Sequence, residues 1–169
     1  MSLVKFKAQN HPQQVGAVGA KDNVDDRGTD PELFAELDAR FGFTIDVAAA
    51  AHNAKCDRFY DLEADGLTQS WRGERVWCNP PYSSIEPWVR KAQATWLVGG
   101  AELIVMLLPA NRTEQRWWQD LVEPFRDRGL GLRVEFLRGR RRFVRANATE
   151  IGPNERPPFG VCLLIWAAS

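Results

Sequence analysis

In the stretch VWCNPPYSS, Val76 to Ser84, an asparagine, two prolines and a tyrosine stand in consecutive positions after an apolar run. Each proline lacks a backbone donor and has a fixed φ, so Pro80 and Pro81 end a strand and hold a stiff, extended bend. Three capabilities meet there. The side-chain oxygen of Asn79 accepts a hydrogen bond. The carbonyl of Pro80 is a second acceptor, kept in place by Pro81. Tyr82, expected to be exposed, offers a flat face to a planar group. Two fixed acceptors beside an aromatic plate suit a conjugated amino group, which carries two N–H donors on a planar ring or amide. Such a nitrogen is a poor nucleophile because its lone pair is delocalised. Accepting hydrogen bonds from both N–H groups concentrates electron density on it as it turns tetrahedral. The chemistry is then positioning plus electrostatic stabilisation, with no covalent enzyme intermediate. A purely structural turn is the alternative, and the bend's place directly after a strand favours catalysis.

The elements that must carry this bend read as alternating strands and helices. TDPELFAELDARFG predicts a helix with Thr29 as its cap, Pro31 in the first turn, Glu32 closing a T-x-x-E capping box and Gly42 as terminator. FTIDVAAA (Phe43 to Ala50) predicts a short buried strand that runs into small residues, CDRFYD a weaker strand or turn, and RVWCN a firm strand that ends at the bend. Glu86 to Val98 predicts a helix closed by Gly99 and Gly100, and ELIVMLLP a strand buried on both faces. TEQRWWQDLVEPFRDR predicts a further helix, followed by strands at LRVEFLRG and GVCLLIW. This alternation implies an α/β domain with a mainly parallel sheet, in which ligands bind beyond the carboxyl ends of the strands. The IDVAA and NPPY segments therefore open onto one crevice. Trp88, Trp96 and Trp166 follow element faces and are expected in the core, and Trp77 is expected to pack inward.

At 169 residues the chain has the length of a single domain, with residues 1–28 expected as a mobile arm and 29–169 as the folded unit. The longest apolar run, Leu103 to Leu108, is too short to span a bilayer. Three cysteines without CxxC spacing favour a reducing, cytoplasmic setting over a disulfide framework, and His11 and His52 suggest no metal cluster. Formal net charge is zero, yet Asp22 to Asp65 holds 12 acids against 4 bases and Arg126 to Arg145 holds 8 arginines against 2 acids. Such segregation is open to two readings, a face for a polyanion or a solvated charged surface. The same two readings apply to Arg112 and Thr113, and to Arg138, Arg140, Arg141 and Arg142 in RGRRRFVR, where phosphate binding is favoured because arginine forks match phosphate geometry.

The ordered series TDPELF, FGFTIDVAAA, DGLTQSW, VWCNPPYSSIEPWV, LLPANRTEQRWW and FLRGRRRF resembles the phage-type DNA N6-adenine methyltransferases over about residues 28 to 166. NPPY alone also resembles methyltransferases of protein glutamine and of amines on RNA bases. The resemblance implies a Rossmann-like methyltransferase fold with an antiparallel last strand, S-adenosyl-L-methionine as cofactor and adenine in DNA as substrate. It implies that Asn79 and Pro80 hold the adenine amine and that Tyr82 stacks on a base flipped out of the duplex. It implies too that Asp46 lies by the cofactor's amino or ribose group, with Ala48 beside it, and that Asp65 lies by its adenine. The helix beginning at Thr29 resembles the element that receives the cofactor carboxylate. Where many methyltransferases carry a glycine-rich loop, this chain has Asp46, Val47 and four alanines, which still permit close backbone approach. Asp46 as a helix cap and Asp65 as an ordinary turn residue are the plainer alternatives. A phage or prophage origin, no obligate protein partner and a short or relaxed recognition sequence complete the expectation. A catalytically silent DNA-binding relative is the rival from another class.

Overall fold

The computed structural model describes residues 28–144, 157 and 159–168. All but the last residue of the expected N-terminal arm, and Arg145 with most of the loop after it, lie outside the described residues. Among the described residues ten elements follow in chain order: β1 (Gly28–Thr29), α1 (Pro31–Phe41), β2 (Ile45–Asp46), β3 (Arg75–Cys78), α2 (Glu86–Leu97), β4 (Leu103–Pro109), α3 (Arg116–Leu121), β5 (Leu132–Phe136), β6 (Phe143–Val144) and β7 (Val161–Ala167).

The main sheet has the order β2-β3-β4-β7-β5. Strands β2, β3 and β4 run parallel, whereas β7 lies antiparallel between β4 and β5. Every residue of β4, and all of β7 but Ala167, is buried. That is the environment implied by their unbroken apolar sequences, which leave no polar side to face water. Helix α2 seals one face through Trp88, Val89, Ala92 and Gln93. Gln93 Oε1 accepts the indole N–H of Trp166 at 2.7 Å, so the polar atom of a fully buried tryptophan is satisfied from the helix. Trp77 is fully buried against Phe34 and Phe43, as expected, but Trp96 is only half-buried.

Three expectations need correction. The cap of α1 is Asp30, whose carboxylate accepts from Glu32 N at 3.0 Å, and not Thr29. Thr29 is drawn instead into β1, which pairs antiparallel with β6 in a separate two-stranded ribbon, Thr29 opposite Phe143. Gly28, assigned to the mobile arm, is buried in that same ribbon. The helix expected over Thr113 to Arg128 shrinks to Arg116–Leu121, because Pro124 cannot donate into a continuing helix and Asp127 sits at φ +56°. Gly42 does end α1, at φ +62°. The CDRFYD segment forms no named strand, but Asp46 N donates to Arg58 O and Tyr60 N to Asp46 O, so it flanks β2 through a single bridge.

Candidate active site

The bend leaves the carboxyl end of β3 and is fixed at each step. Asn79 Nδ2 donates to Thr29 Oγ1 at 3.1 Å, which leaves Oδ1 with no donor among the described residues. Ser84 N closes a turn onto Pro81 O at 3.1 Å. Arg112, beyond the end of β4, donates from Nη1 to Tyr82 O at 2.5 Å and so ties the two strand-end loops together. Pro80 is buried and Pro81 half-buried.

Tyr82 departs from the expectation of an exposed plate. It is 8% exposed, its hydroxyl donates to Leu107 O at 3.3 Å, and Phe143 and Phe159 flank its ring at 6.1 and 6.2 Å. Burial pushes its hydroxyl far above the usual phenol range, so it stays neutral. The cover comes from β6 and from the approach to β7, distant pieces of chain that local sequence around NPPY does not reveal.

Three cavities meet around the bend. One of about 330 Å³ is lined by Val47 to Ala50, Asn53, Tyr60 to Leu62, Asp65, Gly66, Pro81 and Trp88. It adjoins a small polar lobe of about 20 Å³ bordered by Thr29, Asp46, Ala48, Asn53, Lys55, Trp77 and Asn79. Ala48 and Asn53 line both. On the other side of the bend a cavity of about 440 Å³ is lined by Tyr82 to Pro87, Arg90, Arg112, Gln115 and Trp117. Pro81 and Tyr82, adjacent in sequence, thus face different cavities. Five of the expected site residues converge here: Thr29, Asp46, Ala48, Asn79 and Pro81, with Asp65 at the far wall and Tyr82 and Arg112 across the bend.

Asp46 is 3% exposed and its carboxylate accepts from Ala48 N at 3.3 Å and Lys55 N at 3.1 Å. Burial raises its pKa to about 6, against the pull of those two N–H groups and of the Lys55 charge. No helix follows it, so the cap alternative falls away. Asp65 is both a turn residue and a cavity residue. It sits at φ +51°, its carboxylate accepts from Leu67 N at 3.2 Å, and it borders the cavity of about 330 Å³. The next position must be glycine, since a Cβ on Gly66 would lie 2.0 Å from Val47 O. That close approach is what lets the Asp61 to Gly66 loop wall the cavity.

The remaining expected residues lie apart. Thr113 is exposed, with its carbonyl taken by Gln119 Nε2 at 2.7 Å. Arg138, Arg140 and Arg142 are exposed between β5 and β6, and Arg141 is half-buried, its Nε without an acceptor among the described residues. This basic turn borders none of the three cavities, but it leads directly into Phe143, which rests on Tyr82. Sequence reasoning missed Asn53, Lys55, Tyr60, Leu62 and Gly66 as lining residues. Only Asp65-Gly66 carried a signal, as a turn pair; the others lie in aperiodic loop.

The DNA N-6-adenine-methyltransferase (Dam) family model matches residues 18–168. A protein of Escherichia phage T1 described as a DNA N-6-adenine-methyltransferase is 37% identical over 111 residues, 64% of this chain and 42% of the relative. One of Haemophilus phage HP1, described in the same words, is 33% identical over 88 residues, 52% of this chain and 49% of the relative. These alignments thus span about half the length of the curated relatives. A solved structure from Pyrococcus horikoshii, described as a candidate RNA methyltransferase, superposes with a TM-score of 0.53 over 89% of this chain and 90% of its own. At 14% identity that likeness establishes the methyltransferase fold. With the family model matching nearly the whole chain, this protein belongs to the DNA N-6-adenine-methyltransferase (Dam) family.

Proposed function

We propose that the chain binds S-adenosylmethionine in the cleft beside Val47 to Ala50 and moves its methyl group to the N6 amine of adenine in DNA. One observation carries this reading: Asn79 is held by Thr29 at a strand's carboxyl end with Oδ1 left for an incoming donor, at the junction of the cavities. The residues suit the cofactor. Alanines, Tyr60, Leu62 and Trp88 give the larger space apolar walls for a nucleoside, Asp65 offers an acceptor to its hydroxyl or amine groups, and the smaller lobe adds Asp46 and Lys55. When bound, the cofactor supplies a methyl group on a positively charged sulfur.

The chain does the rest by position. Asn79 Oδ1 and the Pro80 carbonyl accept from the two N–H bonds of the amine and stabilise the charge that develops on nitrogen, which sheds its surplus proton to solvent after transfer. The stiffness of Pro80-Pro81 keeps both acceptors aimed before the substrate arrives. Because Pro81 lines the cofactor cleft and Tyr82 the neighbouring cavity, the bend forms the partition across which transfer takes place. An adenine inside a duplex cannot reach it, so the base must be swung out. Tyr82 serves as its aromatic wall once Phe143 or Phe159 gives way, and Arg112 supports that wall through the Tyr82 carbonyl. Arg138, Arg140, Arg141 and Arg142 take DNA phosphates.

The two phage relatives support DNA as substrate and a bacterial host cytoplasm as the setting. No described helix is long and apolar enough to cross a membrane. Incubation with methyl-labelled S-adenosylmethionine and DNA, then nucleoside analysis, tests the reading: label should appear in N6-methyladenine. Label confined to cytosine, RNA or protein would refute it.

A further inference from the structure

The cavity of about 440 Å³ offers more than the transfer step uses. Transfer draws on Tyr82 from its lining and on Arg112 behind it, and leaves Glu86, Arg90, Gln115 and Trp117 without a role. These come from two separate pieces of chain, the start of α2 and the loop from β4 into α3. Their polar heads are anchored before any ligand arrives. Arg90 Nη2 donates to Glu86 Oε1 at 2.7 Å. The indole N–H of Trp117 donates to Gln115 Oε1 at 2.7 Å, and Trp117 is itself buried edge-on against Trp118. An indole N–H only donates, so it fixes which end of the amide faces it. The Gln115 oxygen is thereby engaged, while its Nε2 hydrogens have no acceptor among the described residues. Arg90 likewise keeps further N–H groups beyond the one given to Glu86. Side chains already held in place lose little freedom when a ligand binds, so contacts made here discriminate well.

The geometry points to this cavity as the reader of the base pair beside the target adenine, with Gln115 and Arg90 donating to O6 and N7 of a guanine. The inference rests on the reading that adenine in DNA is methylated at the bend, and it assigns the specificity of that step. An adenine neighbour would need the glutamine oxygen for its amino group as well as an Nε2 donor for N7. Here Trp117 holds that oxygen. A cytosine would present an amino donor, and the carboxylate of Glu86 is already bonded to Arg90. Guanine alone offers two acceptors side by side, the pattern that a guanidinium and an amide N–H match. A phosphate could also meet the arginines, but contacts to phosphate carry no sequence information.

A pool of duplexes carrying one adenine between randomised neighbours tests this, with the methylated fraction read by sequencing. Wild type should methylate adenines with guanine at one flank roughly tenfold or more faster than the rest. Gln115→Glu keeps the acceptor for Trp117 and turns the amide donors into a second acceptor. The guanine preference should then fall about tenfold, and cytosine should gain. Arg90→Met should narrow the same ratio by a similar factor. Each ratio is taken within one preparation, so partial loss of folded protein cancels. A wild type indifferent to the neighbouring base would overturn the assignment. So would variants that slow every context equally, the outcome expected if these side chains only hold phosphate or shape the cavity; a reduced salt slope would mark phosphate. Wild-type protein that methylates no adenine in the pool would defeat the adenine-transfer reading, and this inference with it.

Discussion

Asp46 connects chemistry to pH at the scale of one residue. Its folded pKa of about 6 exceeds the ordinary 3.8 because burial penalises the charged form. Between those values the folded state holds a proton that the unfolded state releases, so this group's contribution to stability falls as pH rises through that window. On the proposed reading, in which Asp46 lies by the cofactor's amino group, cofactor binding has the opposite sign, since the ionised carboxylate is the form that attracts a cation. Affinity for S-adenosylhomocysteine should therefore rise roughly tenfold from pH 5 to pH 7 and then level off. Calorimetry across that range checks it, and Asp46→Asn should flatten the profile. The residues of the bend were legible because their chemistry is written in consecutive letters. The burial of Tyr82 was not, because Phe143 and Phe159 reach it through folding of remote chain.

At the scale of elements, the strands lie where their sequences implied. Apolar β4 and β7 are buried, and the carboxyl ends of β2 and β3 lie side by side, with Ile45 paired to Val76 and Asp46 to Trp77. Helix ends were less legible. Thr29 and Asp30 are both good caps, and pairing of Thr29 with Phe143 in the β1–β6 ribbon decided between them. Pro124 lies inside the segment expected as a helix, and the helix stops before it. The contact between α2 and β7 is open to a stability test. Gln93→Leu leaves the Trp166 indole N–H without its acceptor, at a cost of about 1–3 kcal/mol. Thermal unfolding should show Tm lowered by roughly 3–9 °C. An unchanged Tm would show that the hydrogen bond contributes nothing net.

Across the whole molecule, charge is sorted so that the acidic stretch includes the loop that lines the 330 Å³ cavity and the arginine-rich stretch leads through β6 to the cover of Tyr82. This suits a substrate that is a polyanion and a cofactor that is cationic. Replacing Arg138, Arg140 and Arg142 by glutamine should weaken DNA binding with little dependence on sequence and reduce the salt slope by roughly one per lost phosphate contact. Fluorescence titration at several salt concentrations measures both. An unaltered slope would return that run to the role of solvated surface. The claim on which all of this depends is that Asn79 contributes acceptance of the amine and not the shape of the cleft. Asn79→Ala offers the direct measurement: S-adenosylhomocysteine affinity by calorimetry and methyl transfer to DNA on the same preparation. The account predicts binding within a few-fold of wild type and transfer reduced by roughly 10²–10³ or more. Transfer at the wild-type rate with intact binding would contradict it.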